Sequence, residues 1–134
     1  TPALPGTDLQ RIQLVKGWID GDGRKQESVM DIARSNGDEA GVNLDTCEPT
    51  GAGARSLCGY WRDADFDPQQ DAFYYARVLE NPSCRWSTHI CNAQRVDCSK
   101  PDALSDEQAE CCRPELKKTV QERAWTSPIW YSAN

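Results

Sequence analysis

Seven cysteines, a single histidine and 21 acidic residues are the side chains in this 134-residue chain with the most obvious chemistry. The cysteines stand at Cys47, Cys58, Cys84, Cys91, Cys98, Cys111 and Cys112. A zinc centre wants paired Cys-x-x-Cys clusters or a Cys/His set. No Cys-x-x-Cys occurs, and His89 is the one imidazole. The same missing motif removes redox catalysis of the thioredoxin kind. The cysteines therefore read as disulfide staples. Cys47 and Cys58 bracket a Gly-rich loop and are expected to pair, a closure worth ~2–3 kcal/mol by chain entropy. The remaining five are expected to supply two bridges inside Asn81–Lys118, with adjacent Cys111 and Cys112 each taking a different partner. Their pairing is not fixed by spacing. The odd cysteine is expected either to be free and buried or to find its mate in a part of a longer precursor.

The acidic residues offer less. Asp63, Asp65 and Asp67 alternate, a pattern that could aim three carboxylates at a hard cation such as calcium. The plainer reading is a solvated turn ahead of Pro68. Asp20-Gly-Asp22-Gly opens like a calcium loop but lacks its later ligands and distal Glu, so it reads as a hairpin turn. A serine nucleophile would need His89 as its base, and neither Gly-x-Ser-x-Gly nor a phosphate-cradling Gly loop with its Lys is present. The five tryptophans could stack on sugars, although in a small β domain such rings more often fill the core. No catalytic set emerges.

The elements that would carry these residues are mostly strands. In Asp8–Ile19, Ile12, Leu14 and Trp18 share one face at period two while Val15 and Ile19 lie on the other. The two Asp-Gly pairs then predict a tight hairpin returning along Glu27–Arg34, closed by Ser35-Asn36-Gly37-Asp38. A loop-rich stretch, Gly41–Ser56, precedes a short predicted strand at Leu57–Trp61. Ala72–Glu80 is the strongest strand, with aromatic and β-branched residues on both faces, as a central strand covered twice requires. Ser105-Asp-Glu-Gln108 fits a capping box and predicts a helix of one or two turns through Cys112. Val120–Tyr131 reads as strand, with Pro128 placing it at a sheet edge or bulge. The fold class expected is mainly β: a small antiparallel β-sandwich-like domain with a disulfide-rich, partly helical insertion at 81–118.

Bulk properties bound the function. Hydrophobic residues make up only 38% of the chain, a thin core of the kind that disulfides support in oxidising compartments. The net charge of −6 disfavours nucleic acid, whose phosphates need a positive surface. No run of ~18 apolar residues exists to span a membrane. Residues 1–7, with two prolines and a glycine, read as a linker leading into a single domain at 8–134, and the chain is expected to be a piece of a larger periplasmic or secreted protein.

Four stretches carry a resemblance. Leu9-Gln-Arg-Ile-Gln-Leu-Val-Lys-Gly-Trp18, Asp65-Phe-Asp-Pro68, Ala72-Phe-Tyr-Tyr-Ala-Arg-Val-Leu-Glu80 and Gln121-Glu-Arg-Ala-Trp-Thr-Ser-Pro-Ile-Trp-Tyr131 together resemble the C-terminal region of a bacterial family catalogued as domain of unknown function 3604. The resemblance implies an upstream region similar to polymerase-and-histidinol-phosphatase (PHP) type metal-dependent hydrolases, with the divalent metal and its ligands upstream of Thr1 and no cofactor in this segment. On that reading the chain is a non-catalytic C-terminal β domain whose partner is the upstream part of the same polypeptide. Arg77, Glu80, Arg85 and Trp86, flanking the strongest strand, are the expected contact residues. The alternative is an independent extracellular binding module for carbohydrate or calcium.

Overall fold

A computed structural model describes residues 6–36 and 40–133. Most of the expected linker, together with Gly37 and Asp38 of the turn after the second strand, lies outside the described residues. The chain opens with β1 (Leu9–Ile19) and β2 (Lys25–Arg34), two short strands β3 (Gly41–Val42) and β4 (Pro49–Thr50), then β5 (Ala72–Glu80) and β6 (Ser83–Cys84). Two helices, α1 (Trp86–Ala93) and α2 (Asp106–Ala109), precede β7 (Thr119–Val120), β8 (Arg123–Trp125) and β9 (Ile129–Tyr131). The expectation of a mainly β, antiparallel, disulfide-bearing small domain holds.

One antiparallel sheet organises the molecule, in the order β2-β1-β5-β8, with β9 pairing beside β8 along β5. The β1–β2 turn forms because the Asp20 carboxylate accepts the backbone N–H groups of Asp22 and Arg24 at 3.0 and 2.9 Å. Gly23 supplies the left-handed residue, at φ 77°. Strand β5 runs over the expected residues and sits centrally between β1 and β8/β9. Pro128 acts as anticipated. The edge partner of β5 breaks into two three-residue strands, and between them the Thr126 hydroxyl accepts the N–H of Ala76 at 3.0 Å.

The two faces of this sheet differ. Leu14, Lys16 and Trp18 of β1 lie opposite Ala76, Tyr74 and Ala72 of β5 on one face. The segment 55–70 crosses that face as a strap. Gly59 lies against the Ile32 carbonyl at the β2 side, and the Trp61 ring meets Tyr74 with centroids 6.0 Å apart. At the opposite edge, Phe66 packs edge-on against Tyr131, whose hydroxyl donates to the Pro68 carbonyl at 3.0 Å. The strand expected at Leu57–Trp61 does not form. Side-chain pins, rather than a backbone ladder, hold this stretch to the sheet.

On the other face Val15 is fully buried between Val29 and Tyr75, its cross-strand neighbours. Next to it the Phe73 ring lies over Gly17, so closely that a Cβ there would overlap the ring. Gly17→Ala is therefore expected to lower stability by about 1–3 kcal/mol through overpacking. Gly21→Ala, at a position with open space around it, should stay within about 0.5 kcal/mol. Urea midpoints of the two variants decide this, and equal midpoints would contradict the Phe73–Gly17 packing.

Candidate functional site

The face carrying Val15 buries that residue and Leu79 at its centre and leaves large apolar side chains open around them. Phe73 and Tyr75 stack on it with ring planes 7° apart, and Trp130 leans on Phe73 with centroids 5.3 Å apart. Trp125 stands opposite Arg77 in the β5–β8 register. Trp125 is 60% exposed, Trp130 is 72% exposed, and Val29 and Ile19 are also open to solvent. A shallow groove runs between Gly17, Ile19, Glu27, Phe73 and Trp130. Beside the rings a polar ladder crosses three strands: Arg77 Nε donates to Gln13 Oε1 at 2.7 Å, and Gln13 Nε2 donates to Asp31 Oδ1 at 2.7 Å. The Asp31 carboxyl feels partial burial, which raises its pKa. The Gln13 hydrogen bond and the Arg11 and Arg34 charges outweigh that and hold it below the usual carboxylate range.

This exposure shows in the total surface. The molecule leaves 10119 Å² accessible, whereas a compact monomer of 15.0 kDa leaves roughly 7,000 Å². Among the described residues the buried apolar ones are few, namely Val15, Ala40, Ala72, Leu79 and Cys84.

Of the residues expected to touch a partner, Arg77 lies on the open face. Glu80 is engaged within the chain, its carboxylate accepting the Thr7 hydroxyl at 2.9 Å. Arg85 and Trp86 stand at the start of α1, where Trp86 and Ile90 border a separate groove. Sequence reasoning missed Trp125 and Trp130 as surface residues. It had assigned the tryptophans mainly to the core, and period-two alternation says which face a side chain joins but not whether anything covers it.

The three aspartates have other employment. Lys16, 7% exposed, donates to Asp63 Oδ2 at 2.6 Å and to the Asp65 carbonyl at 3.2 Å. Tyr74 donates its hydroxyl to the same Asp63 oxygen at 2.7 Å. Asp63 Oδ1 accepts the Asp65 N–H, and Asp67 accepts the N–H of Gln69. The carboxylates thus serve separate turns, and Lys16 already occupies the position at Asp63 that a cation would want. Burial alone would raise the Asp63 pKa, but hydrogen bonds from Lys16, Tyr74 and the Asp65 N–H bring it below the ordinary value. Burial and the Asp63 charge push the Tyr74 phenol up to about 12.

The cysteines correct one expectation. Cys47 bonds Cys84, not Cys58, and Cys91–Cys111 and Cys98–Cys112 complete the set. The physical reason is placement: the β3–β4 turn bearing Cys47 packs beside β6, which ends at Cys84, while Cys58 leaves with the strap. Closing the longer loop costs more chain entropy than Cys47–Cys58 would, so folded placement decides the pairing, and once formed the 37-residue closure constrains the unfolded chain by about 4 kcal/mol. Cys58 is the free thiol, and it is exposed rather than buried. Inside the insertion the Ser105–Gln108 capping box forms with both reciprocal hydrogen bonds. Helix α1 was not anticipated. Arg85 at its N-cap provides no side-chain cap, so the usual start signal is missing.

A family model described as Protein of unknown function (DUF3604) matches residues 4–133. No curated protein and no solved structure matches the chain.

Asp63 supplies a pH test. Its contribution to stability is present above the unfolded carboxylate pKa and is lost as pH falls through its lowered folded value. Asp63→Asn is expected to cost about 3 kcal/mol at neutral pH by stranding Lys16, and to flatten the acid side of the stability profile. The same variant should bring the latest-ionising tyrosine down from about 12 toward 10, read as tyrosinate absorbance. An unchanged alkaline titration would contradict the Tyr74–Asp63 bond.

Proposed function

The chain belongs to the family described as Protein of unknown function (DUF3604), and on that footing we propose that it is a non-catalytic β domain packing its open aromatic face against the upstream part of the same polypeptide. The observation that carries this reading is the exposure of Trp125, Trp130, Val29 and Ile19 around the half-buried rings of Phe73 and Tyr75, on a sheet whose other face is strapped. Large rings around a fully desolvated centre such as Val15 are what binding hot spots consist of. Exposed tryptophans gathered on one sheet face support the same conclusion, because exposed apolar groupings mark interaction surfaces.

The upstream partner is proposed to be a PHP-type metal-dependent hydrolase region, with this domain shaping or covering its cleft. That step rests on the resemblance of the aromatic tail, Gln121–Tyr131, and of β1 and β5. Three disulfides support a periplasmic or secreted setting, since such bonds persist where the surroundings oxidise thiols. Among the described residues no helix is long and apolar enough to cross a membrane.

Hydroxyl-radical footprinting of the full-length protein tests the docking. Trp125 and Trp130 should be protected, while Tyr60, 88% exposed on the strap, stays reactive as the internal control. Labelling of both tryptophans as complete as that of Tyr60 would sink the proposal. Protection that arises only on adding a saccharide would assign the rings to glycan binding instead.

A further inference from the structure

A second grouping of reactive side chains lies away from the aromatic face. Cys47 Sγ, Cys84 Sγ and a ring nitrogen of His89 all fall within 4.8 Å of one another. In sequence this is a distant cysteine followed by Cys84-x-x-x-x-His89, a spacing that no paired-cysteine motif reveals. Cys84 ends β6 and is buried. Cys47 is half-buried in the turn between β3 and β4, with φ 59°, and His89 is exposed on the first turns of α1. The grouping is therefore walled on the sulfur side and open on the imidazole side. Among the described residues it is the one set of three or more such ligands gathered this closely.

Hydrogen bonds hold the frame around these atoms alongside the Cys47–Cys84 bond. The Cys47 N–H donates to the Asn43 carbonyl at 2.7 Å, and the Asn43 N–H donates to Glu48 at 2.9 Å. From α1, Asn92 Nδ2 donates to the Leu44 and Asp45 carbonyls at 2.7 and 3.0 Å and touches Cys47 Sγ at 3.5 Å. On the other side the Arg85 N–H donates to the Lys118 carbonyl at 2.9 Å, and Thr88 donates its hydroxyl to the same carbonyl at 2.7 Å. The remaining two bridges hold the insertion independently. These contacts are what would keep the two sulfurs near His89 if the sulfur–sulfur bond opened. Tetrahedral zinc with Zn–S near ~2.3 Å needs its two sulfurs only ~3.8 Å apart, a small separation from a bonded pair.

We propose that Cys47, Cys84 and His89 are one site with two states: a disulfide staple when oxidised, and a Cys₂His site for a borderline-soft divalent cation such as Zn²⁺ when reduced. The reductant is a dithiol. One of its thiolates attacks a sulfur of the bridge, the Cys47–Cys84 bond breaks, and a mixed disulfide forms. Its second thiol resolves that intermediate and leaves as the oxidised dithiol. Two electrons and two protons thus pass to the chain as two thiols. Metal binding then displaces both thiol protons, and the two thiolates neutralise the dication while His89 coordinates as neutral imidazole. The fourth position faces solvent on the His89 side and takes a water. The proposal stands apart from the docking of the aromatic face.

Co²⁺ alone is the probe, added under anaerobic conditions to the full chain carrying Cys58→Ser after graded reduction with a dithiol. Differential alkylation and peptide mapping identify which bridge has opened. Protein with Cys47 and Cys84 reduced and the other two bridges intact should bind one Co²⁺ per chain, with a thiolate-to-cobalt charge-transfer band that Zn²⁺ abolishes. Fully oxidised protein should show no band. His89→Gln, a change at an exposed helix position that leaves the fold alone, should weaken Co²⁺ binding at least tenfold. A mapped Cys47/Cys84 dithiol that gives no cobalt band would overturn the proposal. So would a band of unchanged affinity in His89→Gln, since the imidazole would then play no part.

Discussion

A β-sheet whose middle strand is apolar on both faces must be covered twice, and this constraint governs the architecture. Strand β5 presents Ala72, Tyr74, Ala76 and Val78 to one side and Phe73, Tyr75 and Arg77 to the other. The chain supplies one cover itself, the strap 55–70, drawn across from Ile32 to Tyr131. That cover is held by a largely buried ion pair and two aromatic contacts rather than by a second sheet. Buried pairs of this sort add little net stability, because desolvating both ions offsets their attraction. What Lys16–Asp63 contributes is register: only one placement of the strap satisfies the ammonium, the Asp65 carbonyl and the Tyr74 hydroxyl together.

The disulfides solve a different problem. Between β5 and β8 the insertion has little apolar material of its own, and α1 and α2 are too short to persist in isolation. Cys91–Cys111 ties α1 to the turn that follows α2, Cys98–Cys112 ties the loop after α1 to the same turn, and Cys47–Cys84 fastens the insertion to the β3–β4 ribbon. Stapling of this kind constrains the unfolded chain more than it strengthens the folded one. The insertion can therefore be rich in charge and still keep a defined shape.

How much of this could be read from the residues depended on whether the deciding interaction was local. Period-two alternation located β1 and β2, aromatic and β-branched residues on both faces located β5, and the turn chemistry of Asp20–Gly23 joined the first two. Ser105 and Gln108 announced α2, and Pro128 announced the broken edge. The strap escaped because its anchors, Lys16 and Tyr131, are far away in sequence, and nothing within Leu57–Trp61 states that side chains will replace a ladder. The Cys47–Cys84 pairing and its neighbour His89 escaped for the same reason, since β3 meets β6 only in three dimensions. Family resemblance located the aromatic tail without saying that its rings face outward.

The interruption between β8 and β9 has a consequence for how molecules of this protein meet one another. A continuous outer strand would display an unbroken row of N–H and C=O groups, a template on which another copy could grow a longer sheet. Thr126 turns inward to satisfy β5, and Pro128 has no amide hydrogen to offer. Each remaining stretch spans three residues, too short to recruit a neighbouring backbone. The border of the sheet nearest its most water-averse surface is thereby protected from polymerising.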